Sequence, residues 1–300
     1  MKQIILGYRG LVVLEGKLGH LDIGDNHPVR VMAVLNVSPE SFYKGSVFTK
    51  PEEIKEFVEK AVNEGCDLID IGGRSTAPYL QTEIPIDVEI ERVVKAIRIV
   101  KDLVDIPISI DTFRSRVAEE ALKAGADIVN DVTGLKGDRM MINVVRDYRP
   151  SLIICAREIV PRNGYRPVER VIAALEESLG LLRDIDYDMK KVAIDPCIGF
   201  FRYKDPPWYI WDLSVLSNLD RLRVFGLPIV IGVSRKSFIG VLTGKDKPEE
   251  RLYGSLAFTA IAILKGAHVI RTHDVAATRD VIRAIEGFKK YGIELHIKYP

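Results

Sequence analysis

A chain of 300 residues with 47% hydrophobic and 28% charged side chains can bury one large core, and its formal net charge of +1 gives no global field to draw nucleic acid or an anionic membrane. No basic tract alternates with aromatics, and the longest apolar run, near Leu256–Leu264, falls far short of the ~18 residues that span a bilayer. Cys66, Cys155 and Cys197 are odd in number and far apart, with no Cys-x-x-Cys, which argues against a disulfide framework or a zinc site and fits a reducing cytoplasm.

The first thirty residues carry short apolar runs punctuated by Gly, Asp and Asn. They read as a hairpin extension covering the lower mouth of the main fold, and Arg9, Glu15 and Lys17 interrupt them too early for a signal peptide. From there β-rich runs alternate with segments of helical period. Strand Val31–Asn36 precedes helix Pro51–Glu64, where Ile54, Phe57, Val58 and Ala61 recur at helical spacing and Thr49 is the expected N-cap. Strand Leu68–Ile71 precedes helix Val88–Val104, Ile108–Asp111 precedes Arg114–Ala124, and Ile128–Asn130 precedes Met140–Asp147. The pattern continues with Leu152–Cys155 and Pro167–Arg183, then Val192–Asp195 and Pro207–Phe225. It ends with Ile229–Gly232 and Glu249–Lys265, then Val269–Thr272 and Val275–Phe288. Eight strand–helix repeats predict a parallel sheet, because each parallel return needs a crossover, and eight such units close into a (β/α)8 TIM barrel. A single domain over residues 1–300 is expected. An open doubly wound sheet is the alternative, but no Gly-x-Gly-x-x-Gly follows the first strand.

Polar residues gather at strand ends. Asn36, Asp70, Asp111, Asn130, Asp195, Arg235 with Lys236, and Arg271 with His273 all lie at or just past the C-terminal end of an expected strand. A single Asp there can simply cap the next helix. Seven of eight strands doing so points to the barrel mouth, where chemistry is placed. Asp111, Asn130 and Asp195 can pair with a flat, amide-like heterocycle, since a carboxylate matches two adjacent N–H donors. Arg235, Lys236, Arg271 and His273 supply positive charge for a phosphate. A planar polar heterocycle carrying phosphate is the ligand these residues imply. His20, His27, His268 and His296 show no metal-ligand spacing.

Six stretches then carry a resemblance: LNVSPESF (Leu35–Phe42), LIDIGGRSTAP (Leu68–Pro78), ISIDTFRSRVAEEALKAGADIVNDVTG (Ile108–Gly134), IDPCIGF (Ile194–Phe200), GVSRKSFIG (Gly232–Gly240) and IRTHDV (Ile270–Val275). In these, and in this order, the chain resembles dihydropteroate synthases. The resemblance implies a transferase that joins a pterin methyl diphosphate to an aromatic amine. It implies pterin binding by Asp111, Asn130, Asp195 and Lys236, and diphosphate binding by Asn36, Arg271 and His273, with Asn36 near a bound Mg2+. Arg235, Ser237 and Phe200 would face the amine, while Ser75 and Thr76 would lie in a loop that helps close the site. Asp111, Asp195, Lys236, Arg271 and His273 are thus the expected catalytic set. A homodimer through the last barrel helices is also implied.

The chain departs from the family in its acceptor-side loops. Arg74-Ser75-Thr76-Ala77-Pro78-Tyr79 replaces the usual Glu-Ser-Thr-Arg-Pro-Gly, Tyr43-Lys44-Gly45 replaces Ser-Asp-Gly, and Asp195-Pro196-Cys197 replaces Asp-Pro-Gly. Cys155-Ala156-Arg157-Glu158 stands where a Met-His stretch is usual. Arg74, Lys44, Arg157, Arg162, Arg166 and Arg202 make the rim basic. Two readings stay open: a salt-bridged rim, or an acceptor amine carrying its own phosphate, such as 4-(β-D-ribofuranosyl)aminobenzene 5′-phosphate. Only Gln3 and Gln81 are glutamines while charges abound, which hints at a thermophile. A pterin-dependent methyltransferase and a non-catalytic pterin-binding protein are the rival functions.

Overall fold

Alternating strand and helix periods resolve, in the computed structural model, into a parallel barrel wrapped by helices. The structure describes residues 13–39, 47–75, 83–158, 160, 162, 164, 166–201 and 204–293. The first strands, β1 (Glu15–Leu18) and β2 (Leu21–Gly24), form an antiparallel hairpin. The barrel strands are β3 (Arg30–Asn36), β4 (Leu68–Gly72), β5 (Ile108–Asp111), β6 (Ile128–Asp131), β7 (Ser151–Cys155), β8 (Val192–Asp195), β9 (Val230–Ile231) and β10 (Val269–Thr272). They pair in parallel in the order β8-β7-β6-β5-β4-β3-β10-β9, and a bridge between Ile194 and Ile229 joins the two ends. The helices are α1 (Pro51–Asn63), α2 (Ile86–Leu103), α3 (Ser115–Ala124), α4 (Met141–Tyr148), α5 (Pro167–Arg183), α6 (Trp208–Ser217), α7 (Ser237–Thr243), α8 (Leu252–Leu264) and α9 (Val275–Lys290). No helix among the described residues is long and apolar enough to cross a membrane.

Strand alternation divides the core in two. Ala33, Leu35, Ile69, Ile71, Ile110, Val129, Ile154, Ile194 and Ile270 join the shell between barrel and helices. Their neighbours Met32, Leu68, Ile128, Ile153, Ala193, Val230 and Val269 form a separate cluster inside the barrel floor, which Leu18 and Ile23 of the hairpin complete. Successive side chains point to opposite faces, so this is the expected result of period two. The hairpin therefore plugs the lower mouth, as its composition predicted.

Local details differ from the expectations. Thr49 is not the N-cap of α1; that position is Lys50, and the Glu53 carboxylate accepts from the Thr49 and Lys50 backbone N–H groups. The segment expected as one helix over Pro207–Phe225 is α6 followed by a 3-10 turn over Leu219–Phe225, closed by Gly226 at φ +67°. The one expected from Glu249 begins as a 3-10 turn over Pro248–Arg251. Helix α7 was not anticipated, because seven residues carry too little periodicity to register.

Asp25 ties the hairpin to the barrel floor. Its carboxylate accepts from Leu14 N–H (2.8 Å) and pairs with Arg223 (2.7 and 2.9 Å) and with His268 Nε2 (3.1 Å). His268 Nδ1 accepts from Ile229 N–H at 3.0 Å, so Nε2 carries the ring proton toward Asp25. Burial raises the Asp25 carboxyl, but these donors outweigh it and hold the group well below the usual carboxylate range. A depressed pKa stabilises above the unfolded value and stops doing so as pH falls through the folded one. Asp25→Asn is therefore expected to cost about 2 kcal/mol at pH 7. The deficit should shrink below about pH 4, where the unfolded carboxylate protonates. Denaturant unfolding of both proteins at pH 7 and pH 3 measures this, and equal midpoints at pH 7 would rule it out.

Candidate active site

Two residues beyond each floor position the same inner face reaches the upper mouth. Leu68 leads to Asp70, Ile128 to Asn130, Ile153 to Cys155, Ala193 to Asp195 and Val269 to Arg271. Asp111 ends β5, in register with Asn130 of β6 and Gly72 of β4. Polar residues distant in sequence thus converge on one opening.

Arg271 is the hub. Its Nε donates to Asp70 Oδ2 at 2.6 Å and its Nη2 to Asp111 Oδ2 at 3.0 Å. Asn130 Nδ2 donates to Asp70 Oδ2 at 3.2 Å. Asp70, fully buried, so orients both the arginine and the amide rather than facing a ligand itself. Asp111 Oδ1 is buried and has no hydrogen-bond partner among the described residues. An unmet carboxylate oxygen there is costly unless a ligand donor fills it. Burial pushes the Asp111 carboxyl up to about 7 even with the Arg271 guanidinium beside it. Burial also raises Asp195, opposed by Lys236 and by the Cys197 N–H that donates to Asp195 Oδ1 at 2.7 Å.

Lys236 reaches the same neighbourhood, since its charge acts on both Asp195 and His273. Its Nζ donates to the Ile198 carbonyl and lies 4.8 Å from the Phe200 ring centroid. Gly199, at φ +83°, lets the chain pass here: a Cβ would sit 2.9 Å from Lys236 Cδ. His273 Nδ1 lies 3.0 Å from Ser234 Oγ. Burial, then Arg271, Arg235 and Lys236, lower its pKa to about 3, so the ring is neutral. The expectation that His273 supplies positive charge is corrected: it offers a hydrogen bond.

Arg235 also departs from expectation. It is 6% exposed, and its guanidinium is spent on the Asp274 carboxylate (2.6 and 2.9 Å) and the Pro248 and Glu249 carbonyls (2.9 Å each). It braces the loops around α7 instead of presenting charge to a ligand. Asn36 ends β3, close against Gly72, where a Cβ would sit 3.2 Å from Asn36 Oδ1. Ser237 opens α7, and Ser75 is buried near the start of the loop after β4. Thr76, Lys44 and Arg202 lie outside the described residues.

Two of the rim arginines, Arg74 and Arg162, are ion-paired. Arg74 lies 3.8 Å from Glu89 and stacks over the Phe113 ring, while Arg162 and Arg170 both pair with Glu158. Glu89, 1% exposed, also accepts from Thr112 and Arg114, linking the loops after β4 and β5. Nothing in the strand-end pattern marked this residue, because it lies in the first turn of α2. Asp131, the last residue of β6, caps the following turn by accepting from Thr133 and Leu135 N–H groups. It plays the capping role that each strand-end carboxylate could have had.

The cysteines overturn an expectation. Cys155 and Cys197 form a disulfide, with Cα atoms 5.3 Å apart, and Cys66 remains a free, buried thiol. A separation of 42 residues hid the pairing, but β7 and β8 are neighbours and Cys155 is in register with Asp195.

A model of the pterin binding enzyme family matches residues 32–273. The chain is 34% identical over 261 residues to dihydropteroate synthase of Clostridium beijerinckii, covering 86% of this chain and 94% of that one. It is 35% identical over 248 residues to the Bacillus subtilis enzyme of the same name, covering 82% and 83%. Among solved structures, Xanthomonas albilineans dihydropteroate synthase with 4-aminobenzoic acid superposes with a TM-score of 0.82 at 31% identity, covering 92% of this chain and 98% of that one. The Burkholderia cenocepacia enzyme complexed with 7,8-dihydropteroate gives 0.80 at 29% identity, covering 93% and 98%.

Proposed function

Because the chain belongs to the pterin binding enzyme family, as a transferase of the dihydropteroate synthase type, we propose that it condenses 6-hydroxymethyl-7,8-dihydropterin diphosphate with an aromatic amine. The products are a dihydropteroate-type compound and diphosphate. The observation that carries this reading is the buried Asp111 Oδ1, without a partner among the described residues and held by Arg271 in the same mouth as Asp195 and Lys236.

The bond that breaks joins the pterin methylene carbon to the diphosphate oxygen, which keeps the electron pair. Asp111 and Asp195 accept ring N–H donors and stabilise the positive charge that develops on the pterin. Arg271, with neutral His273 donating a ring N–H, stabilises the departing oxygens. The neutral amine then forms the C–N bond and loses a proton, so positioning and preorganised charge supply most of the acceleration. Asn36 presents a neutral amide oxygen, a donor Mg2+ accepts beside substrate phosphates. Asn36 and the diphosphate would hold the ion, and when bound it would neutralise charge on the leaving group.

Of the two acceptor amines, 4-aminobenzoate suits a rim in which Arg74 and Arg162 are paired with Glu89 and Glu158. A phosphorylated ribofuranosylaminobenzene would have to displace those carboxylates. The deciding experiment supplies pterin diphosphate with each amine separately and follows diphosphate release and adduct formation. Release with formation of the pterin–amine adduct supports the reading. Methyl transfer without diphosphate release, or tight pterin binding with no turnover of either amine, would replace it with one of the rival functions. Preference for the phosphorylated amine would reverse the acceptor assignment.

The pKa of Asp111 sets a pH dependence. With its carboxyl near 7, the ionised form needed beside the pterin fills in as pH rises through that value. The kcat/KM for pterin diphosphate should therefore climb between about pH 6 and 8, and Asp111→Asn should flatten the limb. A limb that persists in the variant would belong to the substrate phosphates.

A cytoplasmic homodimer completes the proposal. Along α8, Tyr253 (83% exposed), Ile261 and Leu264 make an outward apolar stripe beside Val241 and Leu242 of α7, which a second copy would cover. Sedimentation should show a dimer that Tyr253→Glu weakens, and a monomeric parent protein would refute it.

A further inference from the structure

The turn after β8 contains a conformational conflict. Cys197 adopts φ +65°, the left-handed region that a residue with a Cβ enters at a cost and that glycine enters freely. The family pattern places glycine there, in Asp-Pro-Gly. The same residue donates its N–H to Asp195 Oδ1 at 2.7 Å, so this turn aims the carboxylate. The residues just beyond hold Lys236: the Ile198 carbonyl accepts from its Nζ, and the Phe200 ring lies beneath that cation. Gly199 N–H is anchored to the buried Asp212 carboxylate at 2.8 Å. The other end of the turn is fastened by the covalent bond from Cys197 to Cys155, the last residue of the neighbouring strand and the register partner of Asp195. Both sulfur-bearing residues are at most 3% exposed.

We propose that the Cys155–Cys197 disulfide is a positioning link that holds the left-handed turn aiming Asp195 and Lys236, so that affinity for the pterin depends on the oxidation state of this pair. Forming the link joins the two sulfurs and releases two protons and two electrons. A small disulfide such as oxidised glutathione takes them up by exchange and leaves as two thiols, and a dithiol reverses the step. With the link open, residue 197 keeps its Cβ but loses the tether that offsets a left-handed backbone. The turn relaxes, and its N–H leaves Asp195. The loop after β4 changes less, because Arg74 and Glu89 lie on the far side of β5 and β6 from β7. The inference rests on the pterin reading of this mouth, and separate readouts distinguish the two.

Thiols are counted in denaturant after exposure to oxidised glutathione: Cys66 alone is expected, with Cys155 and Cys197 joining it after dithiothreitol. Kinetics are then compared for the oxidised protein, the reduced protein, Cys155→Ala, and the double variant Cys155→Ala/Cys197→Gly. The KM for pterin diphosphate should rise about tenfold on reduction and in Cys155→Ala. The double variant should recover the oxidised KM and ignore dithiothreitol, because glycine takes the left-handed turn without a tether. Reactive Cys155 and Cys197 thiols in the oxidised sample, an unchanged pterin KM in Cys155→Ala, or no recovery in the double variant would each overturn the proposal. Equilibrium binding of the pterin diphosphate, followed by fluorescence, reads the same ordering without turnover. Failure of every form to turn over would therefore count against the proposed reaction and not against the link.

Discussion

Arg271→Lys is expected to lower kcat/KM by about 10³-fold, although it keeps the positive charge. The guanidinium works here as a fork: Nε is committed to Asp70 and Nη2 to Asp111, from β10 to β4 and β5. A lysine ammonium cannot span both carboxylates in fixed geometry and also address a leaving diphosphate. Asp111 would face a less fixed cation against its burial, and its carboxyl would rise further. The variant should therefore be less active at neutral pH and recover partly in alkali. Arg271→Met should add a stability loss of about 3 kcal/mol, since it strands the fully buried Asp70. Steady-state kinetics with denaturant unfolding checks both. Activity of Arg271→Lys within tenfold of the parent would show that charge alone, and not the fork, matters.

Asp195→Asn should raise the KM for pterin diphosphate by about 100-fold, near 2.7 kcal/mol of binding. Asparagine keeps an oxygen to accept the Cys197 N–H now bound at 2.7 Å, so the local turn and the fold should survive. It loses the second anionic acceptor that pairs with two adjacent N–H donors of a 2-amino-pyrimidinone edge. Its NH2 group would instead face those donors. An unchanged KM would move the pterin elsewhere in the mouth.

The site residues were legible because two of their properties are local. A strand's period of two is written in its own sequence, and so is the polar residue two places beyond an apolar floor position, as Leu68 and Asp70 or Val269 and Arg271 show. What each residue does there was not legible. Asp70 and Asp111 both stand at strand ends, but only the structure shows that Asp70 is sealed under Arg271 and Asn130, while Asp111 keeps an unmet oxygen among the described residues. Arg235 and Lys236 are adjacent in the chain, yet one is consumed by Asp274 and the other meets Asp195. His273 matched a phosphate-binding residue and is nonetheless neutral, since its burial among three cations is a property of the assembled mouth.

By itself, then, the sequence determined the eight-fold alternation, the plug formed by the N-terminal hairpin, and the mouth to which the polar side chains belong. These follow from periodicities that act over a few residues. Only the tertiary structure decided which carboxylate holds the arginine, which cation stands beside Asp195, and that Cys155 and Cys197 join. Those outcomes depend on desolvation and on distances between strands tens or hundreds of residues apart, and neither quantity is encoded in any short stretch of chain.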